Sequence, residues 1–375
     1  MEWFHVDIPQ EALDDLHRRL AATRWPAEIP GCGWSRGVPL AYLKDLAEYW
    51  RTSFDWRSAE RRLNSFPQFT TEIDGTSIHF LHVRSKHPGA VPLILTHGWP
   101  GSFVEFVEII DSLTGPADPR DAFHVVVPSI PGFGFSGRPA EPGWHLARTA
   151  RAWAELMRRL GYDRYAVQGG DFGALISLDL CRTEPAHVLG AHVNFLITRP
   201  HPEPGELGES DRDRLRDAVR FDTDPPAYIR VQATRPQTIS YGLTDSPVGL
   251  LAWIVEKFQE WTDSAELPEE AVDRDQLLTN VSLYWLTASG ASSAQLYFEV
   301  AAQFRHAPAA EPPWRAPVGV AVFPRDFVRP VRSLAERAIP TITHWTEFDR
   351  GGHFAAMEQP RLFVEDVRAF FRSCR

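Results

Sequence analysis

The stretch YAVQGGDFGALISLDL, residues 165–180, joins a short apolar strand pattern directly to a helix pattern. Its centre, Gly169-Gly170-Asp171-Phe172-Gly173, has the arrangement small, any, nucleophile, any, small that is typical of a sharp strand-to-helix turn. Such a turn strains the backbone of its middle residue, and side chains at the flanking positions would clash. The N-terminus of the helix also favours the ionised form of a carboxylate beside it. The stretch therefore predicts an α/β fold with a carboxylate, Asp171, at the turn.

Strand and helix patterns alternate on both sides of this turn. Short apolar strand patterns occur at residues 91–97, 124–130, 188–197, 317–323 and 341–348, and amphipathic helix patterns occur at residues 146–161 and 361–372. This alternation predicts a mostly parallel sheet that is covered by helices on both faces. The pattern as a whole is that of an α/β-hydrolase fold.

Two regions depart from the alternation. Before residue 90, Leu13, Leu16 and Leu20 recur at helical spacing, and Leu43, Leu46 and Trp50 repeat the pattern. FTTEIDGTSIHFLHV (69–83) then predicts a β-hairpin, because Asp-Gly supplies the positive φ values of a two-residue turn. The second region is rich in proline and helix patterns, and SPVGLLAWIVEKFQEW (246–261) is its best helix, with Ser246 as the expected N-cap. The predicted parts are an N-terminal segment (1–90) that wraps core and lid, a first core part (91–197), a helical lid (198–313) and a second core part (314–375).

Composition and charge exclude several classes of partner. The chain of 375 residues carries a formal net charge of −10, which argues against nucleic acid and against an anionic membrane surface. The N-terminus lacks the pattern of a signal peptide, and no apolar run is long enough to span a membrane. The three cysteines match no metal motif. We therefore expect no metal, no cofactor and a reducing, cytoplasmic setting.

A carboxylate nucleophile restricts the reaction. It attacks an electrophilic sp³ carbon and leaves an alkyl ester, so epoxides and alkyl halides are the natural targets. The alternative interpretation of Asp171 is a simple helix cap, which is common at strand-to-helix turns. The flanking glycines favour the nucleophile, because a cap does not need them.

An ester must be hydrolysed, which requires a base for water and an acid that orients the base. In this fold the chain order is nucleophile, acid, histidine. His353 lies in RGGHF, after the last strand pattern and before the last helix, and is the expected base. Asp326 follows the strand pattern at 317–323 and is the expected acid. The acid could instead follow the strand pattern at 188–197, where Glu203 is the first carboxylate. Glu347 and Asp349 lie too close to His353 in the chain to be favoured.

Ester hydrolysis also builds an oxyanion, which backbone N–H groups must meet. Phe172, directly after the nucleophile, is expected to supply one N–H group. The loop HGWPGS (97–102) is expected to supply the other, at Trp99. A tight Gly-Pro turn would contain the same loop residues, so the loop is weak evidence by itself.

With these residues placed, the chain resembles the microsomal-type epoxide hydrolases, a family that includes the juvenile-hormone epoxide hydrolases. The resemblance runs nearly end to end and is carried by several motifs together. They are RRLAATRWP (18–26), HGWPGS (97–102), VPSIPGFGFS (127–136), QGGDFG (168–173), TDSPVGLLAWIVEKFQEW (244–261), LLTNVSLYW (277–285) and RGGHFAAMEQP (350–360).

The resemblance implies an enzyme that converts an epoxide and water to a vicinal diol through an ester on Asp171. Asp326 matches the position of the family's acid and His353 that of its base. Two lid tyrosines that polarise the epoxide oxygen correspond to Tyr228 and Tyr297. A phenol suits this role, because its O–H group can protonate the oxygen as the ring opens. Tyr241 and Tyr284 are competing candidates, and any of the four could serve lid packing.

The resemblance also sets limits. Phe172 replaces the tryptophan that usually follows the nucleophile, and the membrane anchor of the animal enzymes is absent, so a soluble form is expected. Small hydrophobic epoxides are the expected substrates, in enediyne-type antibiotic biosynthesis or in detoxification, and a homodimer is a further expectation. A haloalkane dehalogenase and a non-catalytic ligand-binding hydrolase remain alternatives. The dehalogenase is disfavoured because Phe172 has no indole N–H for a halide, and the intact set of nucleophile, base and acid disfavours a pure binder.

Overall fold

The computed structural model describes residues 1–201, 205–305 and 312–374, which contain nine strands, fifteen α-helices and three short 3₁₀ helices. The strands are β1 (Glu2–Phe4), β2 (Gln68–Ile73), β3 (Thr76–Val83), β4 (Val91–Thr96), β5 (Phe123–Pro128), β6 (Tyr165–Gly169), β7 (Val188–Val193), β8 (Val318–Val322) and β9 (Ile342–Glu347). The helices before β8 are α1 (Gln10–Ala21), α2 (Leu40–Thr52), α3 (Trp56–Asn64), α4 (Ile110–Thr114), α5 (Leu146–Arg159), α6 (Asp171–Thr183), α7 (Glu209–Thr223), α8 (Ala227–Thr234), α9 (Pro236–Asp245), α10 (Pro247–Trp261), α11 (Arg274–Leu286) and α12 (Ser289–Arg305). The last three are α13 (Arg332–Ala338), α14 (Ala355–Glu358) and α15 (Pro360–Arg372).

The strands of the described residues form one sheet in the order β1-β2-β3-β5-β4-β6-β7-β8-β9. All neighbours from β5 to β9 are parallel, and the three pairings at the β1 edge are antiparallel. The prediction of an α/β-hydrolase fold with a mostly parallel sheet is confirmed. Because the carboxyl ends of parallel strands share one edge, the turns after β4, β6 and β8 come together there.

The predicted hairpin is formed by β2 and β3, and its turn has φ values of 52° at Asp74 and 75° at Gly75. Strand β3 pairs with β5, so the hairpin extends the central sheet. Strand β1, which pairs with β2, was not predicted. Its three residues are too few for any apolar periodicity to show.

The inner strands are buried on both faces. On β4, Leu93, Ile94 and Leu95 are completely buried, yet Ile94 belongs to one apolar cluster and its two neighbours to another. Successive side chains of a strand point to opposite faces, so the two clusters lie on opposite sides of the sheet. This explains why the inner strands are continuous apolar runs rather than alternating ones.

Helices α7 to α12 follow β7 and precede β8, in the region where the sequence shows helix patterns and no strand. The predicted cap of α10 is present, because the Ser246 hydroxyl accepts the N–H of Gly249 at 3.0 Å. Glu203, the alternative acid, lies outside the described residues. Within the described ranges, no helix is both long and apolar enough to cross a membrane.

Candidate active site

The turn between β6 and α6 places Asp171 in the left-handed backbone region, with a φ of 50°. Its flanking glycines are required by close backbone contacts. A Cβ atom on Gly169 would lie 2.1 Å from the carbonyl oxygen of Gly173, and one on Gly173 would lie 1.9 Å from that of Thr96. The strained geometry persists because the surrounding structure enforces it, and such strain is typical of functional residues.

The Asp171 carboxylate lies deep in the protein and accepts the backbone N–H of Trp99 at 3.0 Å. Burial raises the pKa of Asp171, while the His353 cation and the N–H groups of Trp99 and Phe172 act in the opposite direction. The side chain keeps 13% of its surface exposed. The exposed part of such a deep carboxylate indicates a space beside it, which we call the hollow. The two N–H groups expected to form an oxyanion hole thus both meet Asp171.

His353 lies between two carboxylates. Its Nδ1 donates to Oδ1 of Asp326 at 2.9 Å, and its Nε2 lies 3.6 Å from Oδ2 of Asp171. Burial alone would lower the pKa of His353, but the charges of Asp326 and Asp171 and the bond to Asp326 raise it to about 9. The structure therefore brings together the three side chains that the sequence assigned to one site, and the raised pKa favours a protonated histidine at neutral pH.

The backbone around His353 is held by the helical insertion. The N–H of His353 donates to the carbonyl oxygen of Trp261 at 2.8 Å, and that of Gly351 donates to Asp263 at 2.8 Å. Glu358 accepts the N–H groups of Phe354 and of Asp263. These bonds fix the end of α10 to the loop that carries the histidine. No sequence pattern indicates these bonds, since the partners are about 90 residues apart.

Tyr228 on α8 and Tyr297 on α12 face the same hollow from the insertion. Both rings contact Trp99, with centroid distances of 5.2 Å for Tyr228 and 5.6 Å for Tyr297, and the two phenols interact through their hydroxyl groups. Burial and then nearby negative charge, including that of Asp171, raise the pKa of both phenols well above its usual value. Both are therefore neutral O–H donors.

The competing tyrosines are placed differently. Tyr241 is 69% exposed on the surface. Tyr284 is completely buried, and its hydroxyl donates to the carbonyl oxygen of Gly101 at 2.7 Å. Neither is available to a molecule in the hollow in the way that Tyr228 and Tyr297 are.

Sequence reasoning missed one further carboxyl group near the site, Glu105. Burial raises its pKa to about 8, against the influence of His353 and of the N–H groups of Gly98 and Ser102. Part of its surface nevertheless remains accessible. The available signal was that Glu105 is the only carboxylate between residues 95 and 107, in an otherwise apolar run.

Aromatic rings surround the histidine. The rings of Phe327, Trp261 and Phe195 lie 5.0, 5.1 and 5.7 Å from the His353 ring, measured between centroids. Among the described residues, no three His, Cys, Asp or Glu side chains are grouped as metal ligands. The arrangement combines a carboxylate nucleophile, a histidine base, N–H donors and two phenols with apolar walls. It suits displacement at the carbon of an apolar molecule, followed by attack of water on the ester.

Comparisons with known proteins agree with this chemistry. Residues 1–106 match the family described as "Epoxide hydrolase N terminus", and residues 91–217 match the "alpha/beta hydrolase fold" family. A protein of Stigmatella aurantiaca (strain DW4/3-1) named "Putative epoxide hydrolase" is 50% identical over 99% of this chain and 85% of its own length. "Epoxide hydrolase 1" of Oryctolagus cuniculus is 37% identical over 98% of this chain and 88% of its own length.

Two solved structures are similar over the whole chain. The Aspergillus niger epoxide hydrolase has a TM-score of 0.89 and 36% identity, and the match covers 100% of this chain and 96% of that one. The juvenile hormone epoxide hydrolase from the silkworm Bombyx mori has a TM-score of 0.92 and 32% identity, with 100% and 94% covered.

Proposed function

The chain belongs to the microsomal-type epoxide hydrolase family and hydrolyses epoxides, and we propose that it does so through an alkyl ester formed on Asp171. One observation carries this proposal. The Asp171 carboxylate lies in a strained turn, beside a hollow, with the free Nε2 of His353 3.6 Å away. A helix cap would need neither the strain nor the histidine.

In the first step Asp171 attacks a ring carbon of the epoxide and the carbon–oxygen bond breaks. The O–H groups of Tyr228 and Tyr297 hold the oxygen and protonate it as negative charge develops. The proton that the phenol gives up is restored from the resting His353 cation before the ester is hydrolysed. The step therefore leaves a hydroxyalkyl ester on Asp171 and a neutral histidine.

In the second step His353 takes a proton from water, and the resulting hydroxide attacks the ester carbonyl. Esterification removes the negative charge of Asp171, which is one of the causes that raise the pKa of His353. The histidine thus becomes a base when a base is needed, and Asp326 continues to orient it. The N–H groups of Trp99 and Phe172 stabilise the oxyanion, and removal of one such donor typically costs about 10²–10³ in rate. Release of the diol regenerates the carboxylate and the imidazolium.

The aromatic lining supports small hydrophobic epoxides as substrates, with residues 198–313 as the lid that presents the tyrosines. The cysteines Cys32, Cys181 and Cys374 are free, which supports the proposal of a reducing, cytoplasmic compartment. The predicted homodimer is testable by sedimentation of the purified chain. Enediyne-type biosynthesis and detoxification both remain predictions, and a panel of epoxides would discriminate between them.

The experiment that tests the mechanism mixes the enzyme with racemic styrene oxide and follows diol formation together with the intact protein mass. Wild type should form diol, and Asp171→Ala should form neither diol nor adduct. His353→Gln should accumulate a protein heavier by one substrate mass, with the addition on Asp171. Diol formation by folded Asp171→Ala would disprove the ester mechanism. Halide release from a chloroalkane, measured in parallel, tests the dehalogenase alternative.

A further inference from the structure

Lys257 lies in the interior beside the catalytic tyrosine. It is on α10, is 4% exposed, and its Nζ lies 4.9 Å from the centroid of the Tyr228 ring and 5.8 Å from that of Trp261. A lysine is almost never this deeply buried without a specific partner. Nothing in the mechanism above uses it.

Two carboxylates hold the ammonium group in this position. Nζ lies 2.6 Å from Glu256 and 2.7 Å from Glu260. The carboxylate side chains are 32% and 47% exposed, whereas the lysine side chain is 5% exposed. Solvent therefore screens the two negative charges more strongly than the positive one. The ring of Tyr228 is next to the ammonium, which is the less solvent-screened member of this group of charges.

The residue type is itself informative. Only 3 of the 39 basic residues of this chain are lysines, so arginine is the default cation. An ammonium is a compact point charge, whereas a guanidinium is larger and planar. A surface ion pair would not require the exception. A confined place between two carboxylates and an aromatic face would.

We propose that Lys257 is a positioning residue for the reaction, whose charge over the Tyr228 ring makes the phenol O–H a stronger donor to the epoxide oxygen. The inference rests on the proposed function, because it requires that Tyr228 binds that oxygen.

The physical argument concerns the charge that develops during ring opening. As the epoxide oxygen takes the proton, negative charge appears on the phenol oxygen and spreads into the ring. Burial and the charges of Asp171 and Glu260 oppose this change, so the Lys257 cation over the ring acts against them. A cation over the ring attracts the electron-rich form most strongly, so its effect is larger in the transition state than in the resting enzyme. Hydrolysis of the ester places no charge on the phenol, so its rate should not depend on the Lys257 cation.

The test separates the two half-reactions. Lys257→Met removes the charge and keeps an unbranched side chain, and Lys257→Arg keeps the charge. Under single-turnover conditions with styrene oxide, Lys257→Met should slow formation of the Asp171 ester about tenfold. The rate of ester hydrolysis should change less than twofold, and Lys257→Arg should recover most of the lost rate. Lys44→Met is the matched control, because Lys44 also lies over an aromatic ring, that of Trp25, but outside the site.

A purely structural role of Lys257 predicts a different result. Looser packing of α10 would disturb His353 through Trp261 and would slow both half-reactions. Equal slowing of both, or an unchanged rate of ester formation in a folded Lys257→Met protein, would overturn the inference. If the urea midpoint shows that Lys257→Met is unfolded, Lys257→Gln replaces it, since an amide can still bond Glu256 and Glu260.

Tyr228→Phe separates failure of this inference from failure of the proposed function. If Tyr228→Phe slows ester formation and Lys257→Met has no additional effect in that background, the charge acts through the phenol. If Tyr228→Phe slows ester formation but Lys257→Met alone does not, only the role of Lys257 is wrong. If Tyr228→Phe has no effect, the tyrosine role in the proposed function is wrong as well.

Discussion

The described residues contain two largely buried histidine–carboxylate clusters, and only one of them lies in the active site. In the first, His353 bonds Asp326 at 2.9 Å. In the second, which we call the α15 cluster, Asp366 on α15 accepts from His192 at 2.9 Å, from His344 at 2.8 Å and from Thr346 at 2.6 Å. By the number of side-chain bonds to its carboxylate, the α15 cluster is the more complete of the two.

The difference lies in what the second ring nitrogen of each histidine faces, and that of His192, Nδ1, is buried with no partner among the described residues. Both histidines of the α15 cluster direct Nε2 at the carboxylate, whose two oxygens are fully used. His353 instead uses Nδ1 for its carboxylate and presents Nε2 to Asp171 across 3.6 Å. A short His–Asp bond therefore does not identify a catalytic site. A catalytic site is identified by a histidine that one carboxylate orients through one ring nitrogen, while the other nitrogen faces a second carboxylate beside a hollow.

The largest expected difference between the clusters is in turnover. Asp326→Asn should lower kcat by about 10³–10⁴, as in other histidine triads, because the amide no longer fixes the imidazole tautomer. Asp366→Asn should change kcat less than twofold at a temperature where it is folded. Steady-state diol formation measures both. A comparable loss in the two variants would show that the α15 cluster affects the chemistry.

Stability should show the reverse order. Asp366→Asn leaves the buried His192 and the half-buried His344 without their carboxylate and should lower the free energy of unfolding by about 3 kcal/mol at pH 7. Asp326→Asn should lower the free energy of unfolding by less, because it also removes the repulsion between the Asp326 and Asp171 carboxylates. Urea denaturation followed by circular dichroism gives both values. If Asp366→Asn unfolds at the same urea concentration as wild type, the α15 cluster does not stabilise the fold as expected.

The third expectation concerns pH and the active-site histidine. Its pKa is raised from 6.5 to about 9, so its charge stabilises the fold fully below about pH 6.5, and that contribution is lost as the pH rises through about 9. Neutralising Asp171, by esterification or by Asp171→Asn, removes one of the negative charges that raise the pKa of His353. The pH profile of ester hydrolysis, and the NMR titration of His353 in Asp171→Asn, should both give a pKa below 9. A value of about 9 in both would contradict the proposed coupling.

The smallest expected effect concerns acid and the α15 cluster. Burial alone would raise the pKa of Asp366, but the bonds from His192, His344 and Thr346 outweigh it and lower the pKa far below its usual value. A depressed carboxyl pKa stabilises the fold above the ordinary value of about 3.9 and stops doing so as the pH falls below it. The stability gap between wild type and Asp366→Asn should therefore be constant near neutrality and should narrow below about pH 4. If the difference in free energy of unfolding stays constant to pH 3, the destabilisation by Asp366→Asn comes from packing and not from the charge of Asp366.

The sequence predicted the central elements well, because their signals are local. The strand patterns, the hairpin turn at Asp74-Gly75 and the cap at Ser246 each depend on the order of neighbouring residues. The chain order also placed Asp171, Asp326 and His353 near one sheet edge, because parallel strands end together. The comparisons confirm the fold and the reaction class. They do not test the individual site residues, whose roles remain proposals.

What the sequence could not supply are the contacts between distant segments. Nothing in the pattern around Lys257 distinguishes it from an exposed lysine of an amphipathic helix, and Glu105 looks like the polar member of an apolar run. Asp366 gave no signal at all, because its partners on β7 and β9 are 174 and 22 residues away. Such groups acquire their function only when other elements exclude water around them.

The sequence by itself determined the α/β fold, the strained turn at Asp171 and the residue types of the reaction, since these follow from glycine positions, periodicity and the chemistry of a carboxylate. Only the tertiary structure decided which tyrosines lie near Asp171, which histidine faces two carboxylates and where the buried lysine lies. The physical reason is that burial and orientation depend on segments far apart in the chain. Those two properties decide whether a titratable side chain is a base, a donor or part of the core.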